Sequence, residues 1–254
     1  MIKCASFFAG VGGIDLGFQQ AAEKTGLDNV TTVYANEFDK YAAVTFKLNF
    51  PEAQFDSRDI NEVVQNITPE TIPEFDIMLA GFPCQAFSIA GYREGFQDRK
   101  GRGELFFRLV DIIQVRKPRV IFLENVKNLV SHDEGRTFNV IRGELEKLGY
   151  KLVTQVLNAC DYGNIPQNRE RIYMVAFRDQ EDFDKFSMPE RTELTKTIKD
   201  VIGFDETVDE YYYYSAEKTK FYDTLKEQMK SHDTIYQWRR VYVRENKSNL
   251  VPTL

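Results

Sequence analysis

Cysteine and histidine are scarce in this chain, with three and two residues among 254. Cys4, Cys84 and Cys160 stand far apart, and no CxxC and no Cys/His pair at ligand spacing occurs. This excludes a disulfide scaffold and argues against a structural zinc site, so no metal is expected. Long apolar runs are missing too; nothing approaches the ~18 consecutive residues that a membrane span needs. The N-terminal MIKCASFFAGVGG carries one Lys and a short apolar stretch that runs straight into glycines. It lacks the shape of a cleaved leader, so the chain reads as cytoplasmic with no membrane partner.

What is present is ordinary globular chemistry, 43% hydrophobic and 28% charged. The net charge of −6 is unevenly spread. Residues 85–119 carry a surplus of four positive charges, residues 178–210 a surplus of six negative, and residues 215–254 a surplus of three positive. A polyanion can therefore still meet locally positive surface.

Short apolar, often β-branched segments predict strands at Ile2–Phe8, Val30–Ala35, Asp76–Ala80, Arg119–Leu123, Leu152–Leu157 and Ile172–Phe177. Helical stretches lie between them. In Thr137–Leu148 the residues Phe138, Ile141, Leu145 and Leu148 share one face, and Gly149 closes the end. This alternation predicts an α/β fold with a doubly wound, mostly parallel sheet, whose ligands sit beyond the carboxyl ends of the strands. The pattern fails beyond about Arg178. We place a boundary near residue 185, giving a catalytic and cofactor-binding domain over 1–185 and a second region over 186–254. Tyr211–Tyr214 read as a partly buried strand or helix face rather than a stacking surface. Val251-Pro252-Thr253-Leu254 reads as the beginning of a strand.

Chemistry-bearing residues follow several strands. Phe8-Ala9-Gly10-Val11-Gly12-Gly13-Ile14-Asp15 joins the first strand to a helix, and its glycines permit a tight turn and close ligand approach. The dinucleotide fingerprint GxGxxG is not met, so a pyrophosphate clamp is disfavoured. The second strand ends at Asn36-Glu37, where an acid can accept both hydroxyls of a ribose. Together these suit an adenosine cofactor without phosphates; a purely structural turn and a solvated Glu37 are the alternative. Asp59-Ile60 can contact an adenine or belong to a loop. Cys84 follows the Asp76–Ala80 strand, locked by Pro83, where a nucleophile is useful. No histidine base stands in a recognisable motif, which disfavours a hydrolase. Cys4 and Cys160 read as buried and inert. Residues 88–103 form a glycine-rich cationic loop, able to close over phosphates or simply solvated. Glu124-Asn125-Val126 ends a strand; a carboxyl there can hydrogen-bond a ring nitrogen of a substrate, cap a helix or form an ion pair. Arg169 and Arg171, two apart in an extended stretch, point the same way and can hold a base carbonyl, a phosphate or a structural network.

The segments FFAGVGGIDLGF, AGFPCQAFS, FLENVKNL and IPQNRERIY, in this order, resemble the DNA (cytosine-5) methyltransferases, notably the members from bacterial restriction–modification systems. The resemblance covers roughly residues 1–178. It implies a Rossmann-like methyltransferase fold plus the start of a small target-recognition domain. The implied cofactor is S-adenosylmethionine. Gly10, Gly12 and Gly13 with Ala9 would take its methionine part, Glu37 and Phe38 its ribose side, and Asp59 with Ile60 its adenine. Phe8, Pro83 and Leu105 would wall the pocket. The implied substrate is a cytosine flipped out of double-stranded DNA. Cys84 would add to C6, Glu124 would assist at N3 and the exocyclic amine, Arg169 would contact the carbonyl and Arg171 would order Glu124. Gln85, Ser88, Arg99 and Lys100 would meet DNA on a closing loop. The loop Arg99–Gly103 and the residue Asn164 depart from the family pattern by insertion. The family's chain also continues past a PTL-like strand. The expectation is therefore a chain lacking its C-terminal part, cut or completed by a second polypeptide, and poorly active alone. An RNA cytosine-5 methyltransferase, a catalytically silent binding subunit and a nucleotide-dependent oxidoreductase remain as alternatives.

Overall fold

A computed structural model of the chain describes residues 1–27, 30–83, 105–232, 234–246 and 248–253. Its contacts divide it into two units. The first comprises Met1–Val156 with Arg171–Met188, the second Leu157–Glu170 with Pro189–Leu254.

The first unit is built on a seven-stranded sheet. Its strands in chain order are β1 (Ile2–Phe7), β2 (Val30–Asn36), β3 (Gln54–Asp56), β4 (Ile77–Ala80), β5 (Val120–Val126), β6 (Lys151–Asn158) and, after a two-residue β7 (Gln167–Asn168) outside this sheet, β8 (Glu170–Phe177). Their order in the sheet is β3-β2-β1-β4-β5-β8-β6. β1 pairs in parallel with β2 and β4, β2 with β3, and β4 with β5, whereas β8 runs antiparallel to β5. This is the doubly wound, mostly parallel α/β sheet that the strand–helix alternation predicts. The order reverses between β1 and β4, the place where such sheets open a crevice at their carboxyl edge.

Side-chain alternation gives each face its own cover. Ala5 and Phe7 of β1 and Ile121 and Leu123 of β5 join one large core with Phe106, Leu109, Ile112 and Ile113 of helix Leu105–Arg116 and Ile141 and Leu145 of helix Arg136–Lys147. The opposite face meets helix α1 (Gly13–Thr25), where Phe18 sits edge-on to Phe122 with ring centroids 5.2 Å apart. A smaller cluster, Ala35, Phe46 and Phe50, packs helix α2 (Lys40–Asn49) beside β2. Asp39 starts α2 by accepting from the backbone N–H groups of Tyr41 and Ala42, satisfying two otherwise orphaned donors.

Strand ends differ from the sequence reading in instructive ways. Phe8 leaves β1 with a φ of 52°, a left-handed conformation that no strand residue adopts. β5 runs on to Val126, past the predicted Leu123, because β8 continues to pair with it through Glu124↔Tyr173 and Val126↔Arg171. β4 has already stopped at Ala80↔Leu123. β3 is a three-residue edge strand that the sequence did not announce.

The second unit holds two small sheets. β9 (Tyr236–Arg239) and β10 (Tyr242–Glu245) form an antiparallel ribbon, and β11 (Val251–Pro252) pairs in parallel with β7. Trp238 on the ribbon stacks on Phe221 at 4.1 Å. Asn164, at φ 50°, accepts from the backbone N–H groups of Thr195 and Lys196. Tyr211–Tyr214 correct the expectation of a buried face: all four are more than half exposed, because the stretch holds only a single short 3-10 turn at Glu210–Tyr212.

Gly12 caps α1 with a φ of 88°, and a Cβ there would stand 2.4 Å from the Phe50 ring. Gly12→Ala is therefore expected to lose about 2–4 kcal/mol from backbone strain and overpacking together. Urea unfolding of the variant against the parent measures it.

Candidate functional site

Register builds the site. Asn36 of β2 pairs with Phe7 of β1, Phe7 with Ala80 of β4, and Ala80 with Leu123 of β5. Their successors Glu37, Phe8, Gly81 and Glu124 accordingly stand side by side along the carboxyl edge. A Cβ on Gly81 would lie 3.5 Å from Glu124 Oε2 and 3.5 Å from Ile14 Cδ1, so the start of α1 borders the same edge.

The turn from β1 into α1 is held from below. The Ala9 N–H donates to Asn36 O at 3.1 Å, and the Gly12 N–H to Ala9 O at 3.0 Å. Gly10 takes a φ of 56°, and its N–H donates to Glu37 Oε2 at 2.8 Å. The other Glu37 oxygen accepts from the Asp39 N–H at 2.7 Å. A carboxylate has about four lone-pair sites, so two remain for vicinal hydroxyls of a ligand. A Cβ placed at Gly10 or Gly13 would meet none of the described residues within 4 Å, so among them the loop has open space beside it. Phe38 is exposed next to Glu37. These residues fit an adenosine ligand without phosphates: an acid for the ribose, an open glycine turn and an exposed aromatic ring. The strained backbone of Phe8 is of the kind that clusters at ligand sites.

Asp59 and Ile60 take up less ligand-like positions. Asp59 caps the short helix Ile60–Val63 by accepting from the Asn61 N–H at 2.8 Å, and Ile60 is buried in the core. Asn36, which the sequence reading left without a role, donates to Asp56 O and Arg58 O and so ties this loop to the end of β2.

On the other side of the edge, Phe82 is buried and Pro83 exposed. Asn125 sits in β5, 2% exposed; its Nδ2 donates to Phe82 O at 2.8 Å while its Oδ1 accepts from the Val126 N–H at 2.8 Å. It fixes the backbone at Phe82, the residue before Pro83. Glu124 Oε1 lies 3.0 Å from Arg171 Nε, both side chains mostly buried. Leu105 opens the Leu105–Arg116 helix and packs on the core. Cys84, Gln85, Ser88, Arg99 and Lys100 lie outside the described residues.

Arg169 belongs to the second unit and Arg171 to the first. The Arg169 N–H donates to Asn158 Oδ1 at 2.9 Å, its carbonyl accepts from the Ala159 N–H at 3.1 Å, and Asn158 Nδ2 donates to Asn168 Oδ1 at 2.8 Å. With Asn36 and Asn125, Asn158 is thus the third asparagine at or next to a strand end to which sequence reasoning gave no role. Cys4 and Cys160 are buried. Burial and the charges of Asp15 and Asp76 push the Cys4 thiol up to about 12, and burial raises that of Cys160 too. Neither is a thiolate nucleophile at neutral pH. Among the described residues no cluster of His, Cys, Asp and Glu could hold a metal ion, and no helix is long and apolar enough to cross a membrane.

The type II methyltransferase M.Bsp6I of Bacillus sp. (strain RFL6) is 55% identical over all 254 residues, which make up 77% of that protein. M.HhaI of Haemophilus parahaemolyticus is 44% identical over 82% of this chain and 59% of its own. M.HaeII of Haemophilus aegyptius is 44% identical over 85% of this chain and 62% of its own. Apart from the first, these relatives are covered over less than two thirds of their length. A solved Spodoptera frugiperda DNMT2 structure superposes with a TM-score of 0.61 at 24% identity, covering 83% of this chain and 62% of that one. The fold is thus that of these methyltransferases. The C-5 cytosine-specific DNA methylase family matches residues 2–253, and the chain belongs to that family.

Proposed function

We propose that the protein transfers a methyl group from S-adenosylmethionine to C5 of a cytosine in a specific double-stranded DNA sequence, as the methyltransferase of a type II restriction–modification system. One observation carries the reading: the register row sets the Gly10–Gly13 loop and Glu37 beside Gly81 and the Glu124–Arg171 pair, along one carboxyl edge. Family membership supplies the substrate class.

In this reading Glu37 binds the ribose, the Gly10–Gly13 turn takes the methionine part, and Phe8, Phe38, Asp59, Ile60, Pro83 and Leu105 line the remainder. The cofactor supplies, when bound, an electrophilic methyl group on a sulfonium. The cytosine must leave the base stack, since its ring carbons are out of reach within it. The Cys84 thiolate adds to C6, and the electron pair of the C5–C6 double bond moves into the ring. Glu124, oriented by Arg171, hydrogen-bonds at N3 and the exocyclic amine and relieves the charge that builds there. Arg169 is assigned to the ring carbonyl. C5 takes the methyl group, its bond to the donor sulfur breaking to leave a neutral sulfide; water then takes the C5 proton, and the electron pair of that C–H bond restores the C5–C6 double bond as Cys84 departs as thiolate. Gln85, Ser88, Arg99 and Lys100 are assigned to the DNA.

Duplex DNA containing 5-fluorocytosine tests the reading, because fluorine at C5 cannot leave as a proton. The protein, supplied together with the portion of its relatives outside the match, should form a stable covalent complex in the presence of cofactor, and Cys84→Ser should form none. Methyl transfer to duplex DNA with no trapped complex would overturn the covalent route; transfer to tRNA in place of DNA would overturn the substrate.

Two further outcomes are expected. Glu37→Ala should weaken cofactor binding roughly ten- to hundred-fold, the worth of hydrogen bonds to a charged acceptor, as titration calorimetry would record. Asn125→Ala, which orphans the buried Phe82 carbonyl, should cost about 1–3 kcal/mol of stability and slow adduct formation, read by denaturation and by gel shift of the trapped complex.

A further inference from the structure

The last rung of the β2–β3 ladder is Asn36↔Asp56. Just past it stand the two segments that the proposed reading gives to one adenosine: Glu37 at the ribose, and Asp59 with Ile60 at the adenine. A glycosidic bond fixes the spacing of ribose and base, so the protein must fix the spacing of these two segments as well. The ladder does not reach that far, because β3 ends at Asp56.

Asn36 takes over where the ladder stops. It is 2% exposed, and its Nδ2 uses both donors, giving one bond to Asp56 O at 3.1 Å and one to Arg58 O at 2.9 Å. The Glu37 N–H donates to that same Asp56 O at 3.1 Å. On the other side, Asn36 O accepts from the Ala9 N–H at 3.1 Å, at the head of the glycine turn. One residue thus holds the turn through its main chain and the 56–58 segment through its side chain, and it adjoins Glu37. The 56–58 segment is braced within itself. Asp56 Oδ1 accepts from the Arg58 main-chain N–H and from Arg58 Nε, both at 3.0 Å, and Asp56 Oδ2 accepts from the buried Tyr34 hydroxyl at 3.1 Å. Such a segment shifts as one piece, and the Asn36 carboxamide with the Glu37 N–H joins that piece to the end of β2.

We infer that Asn36 is a positioning residue for the ribose end of the cofactor site: its carboxamide sets the Glu37 carboxylate at hydrogen-bonding distance from the ribose hydroxyls, while the glycine turn at the methionine end is held separately, through the Asn36 main chain. The inference rests on the reading of this edge as the S-adenosylmethionine site and adds a division of labour within one residue. Glu37 has ties of its own, to the Gly10 and Asp39 N–H groups. Those aim the carboxylate relative to the turn; Asn36 fixes the backbone from which it springs relative to the base-side segment. Hydrogen bonds to a charged acceptor are worth roughly ten- to hundred-fold in affinity, and a misplacement of about 1 Å forfeits much of that.

Equilibrium binding without DNA tests the inference on wild-type protein, Asn36→Ala and Glu37→Ala, with melting curves to verify folding. The probes are S-adenosylhomocysteine, its 2′-deoxy analogue and its decarboxylated analogue. The first against the second gives a ribose ratio of affinities; the first against the third gives a methionine ratio. Wild type should show a ribose ratio of roughly ten to a hundred, and Glu37→Ala a ratio of about one. Asn36→Ala should lower the ribose ratio about fivefold or more and leave the methionine ratio as in wild type. Added to Glu37→Ala, it should lower the ribose ratio no further. A general loosening of the site would depress both ratios, and a remote structural role would weaken all the probes equally with both ratios intact; either outcome overturns the inference. A wild type that binds the probes with a ribose ratio of about one would overturn the Glu37 assignment and the inference with it. A wild type that binds none of them would overturn the cofactor-site reading itself. Should Asn36→Ala not fold, Asn36→Ser is measured in its place. A hydroxyl can donate to one carbonyl where the amide serves two, so the ribose ratio should fall part of the way; an unchanged ratio in that variant rejects the inference.

Discussion

Everything at the candidate site depends on one row of parallel backbone pairing, Asn36–Phe7–Ala80–Leu123. Parallel strands carry evenly spaced hydrogen bonds, and a slip of one residue would turn every side chain to the other face. The slip is resisted by the core: Phe7, Ala80 and Leu123 are all fully buried. Hydrophobic burial beneath the edge therefore sets the level at which Glu37, Phe8, Gly81 and Glu124 emerge above it. The site is placed by residues that take no part in its chemistry.

Around that row the structure uses short polar side chains as clamps. Asn36 gathers the Asp56–Arg58 backbone, Asn125 holds Phe82 O, and Asn158 holds the Arg169 N–H. An amide offers both donors and acceptors without carrying charge, so it can join two irregular stretches of backbone inside a low-dielectric edge. Each of these asparagines sits at or next to the end of a strand, where backbone groups lose their ladder partners and need others.

The sheet was legible because its strands are short apolar runs set between amphipathic helices. β3 was not: Gln54–Asp56 has only Phe55 as an apolar residue, and its pairing is supplied entirely by β2. The extent of β5 was hidden for a similar reason, since Glu124 and Asn125 look like a loop and remain in a strand only because β8 pairs with them. At the site, Glu37, Glu124 and the glycine turn could be found from their positions after strands. The clamps could not, because an asparagine announces a turn as readily as a tertiary bond. Tyr211–Tyr214 misled through composition: aromatic content predicts burial only where an element exists to carry it inward.

Gly12 has a consequence for how this loop can vary. The ring of Phe50, packed on Phe46 with centroids 4.7 Å apart, occupies the volume a Cβ would need. The turn that would embrace a ligand is thus moulded on its far side by the aromatic filling of α2. Any lineage that reshapes that filling must at the same time re-contour the turn, so the two segments are bound to change in concert although almost forty residues of chain part them.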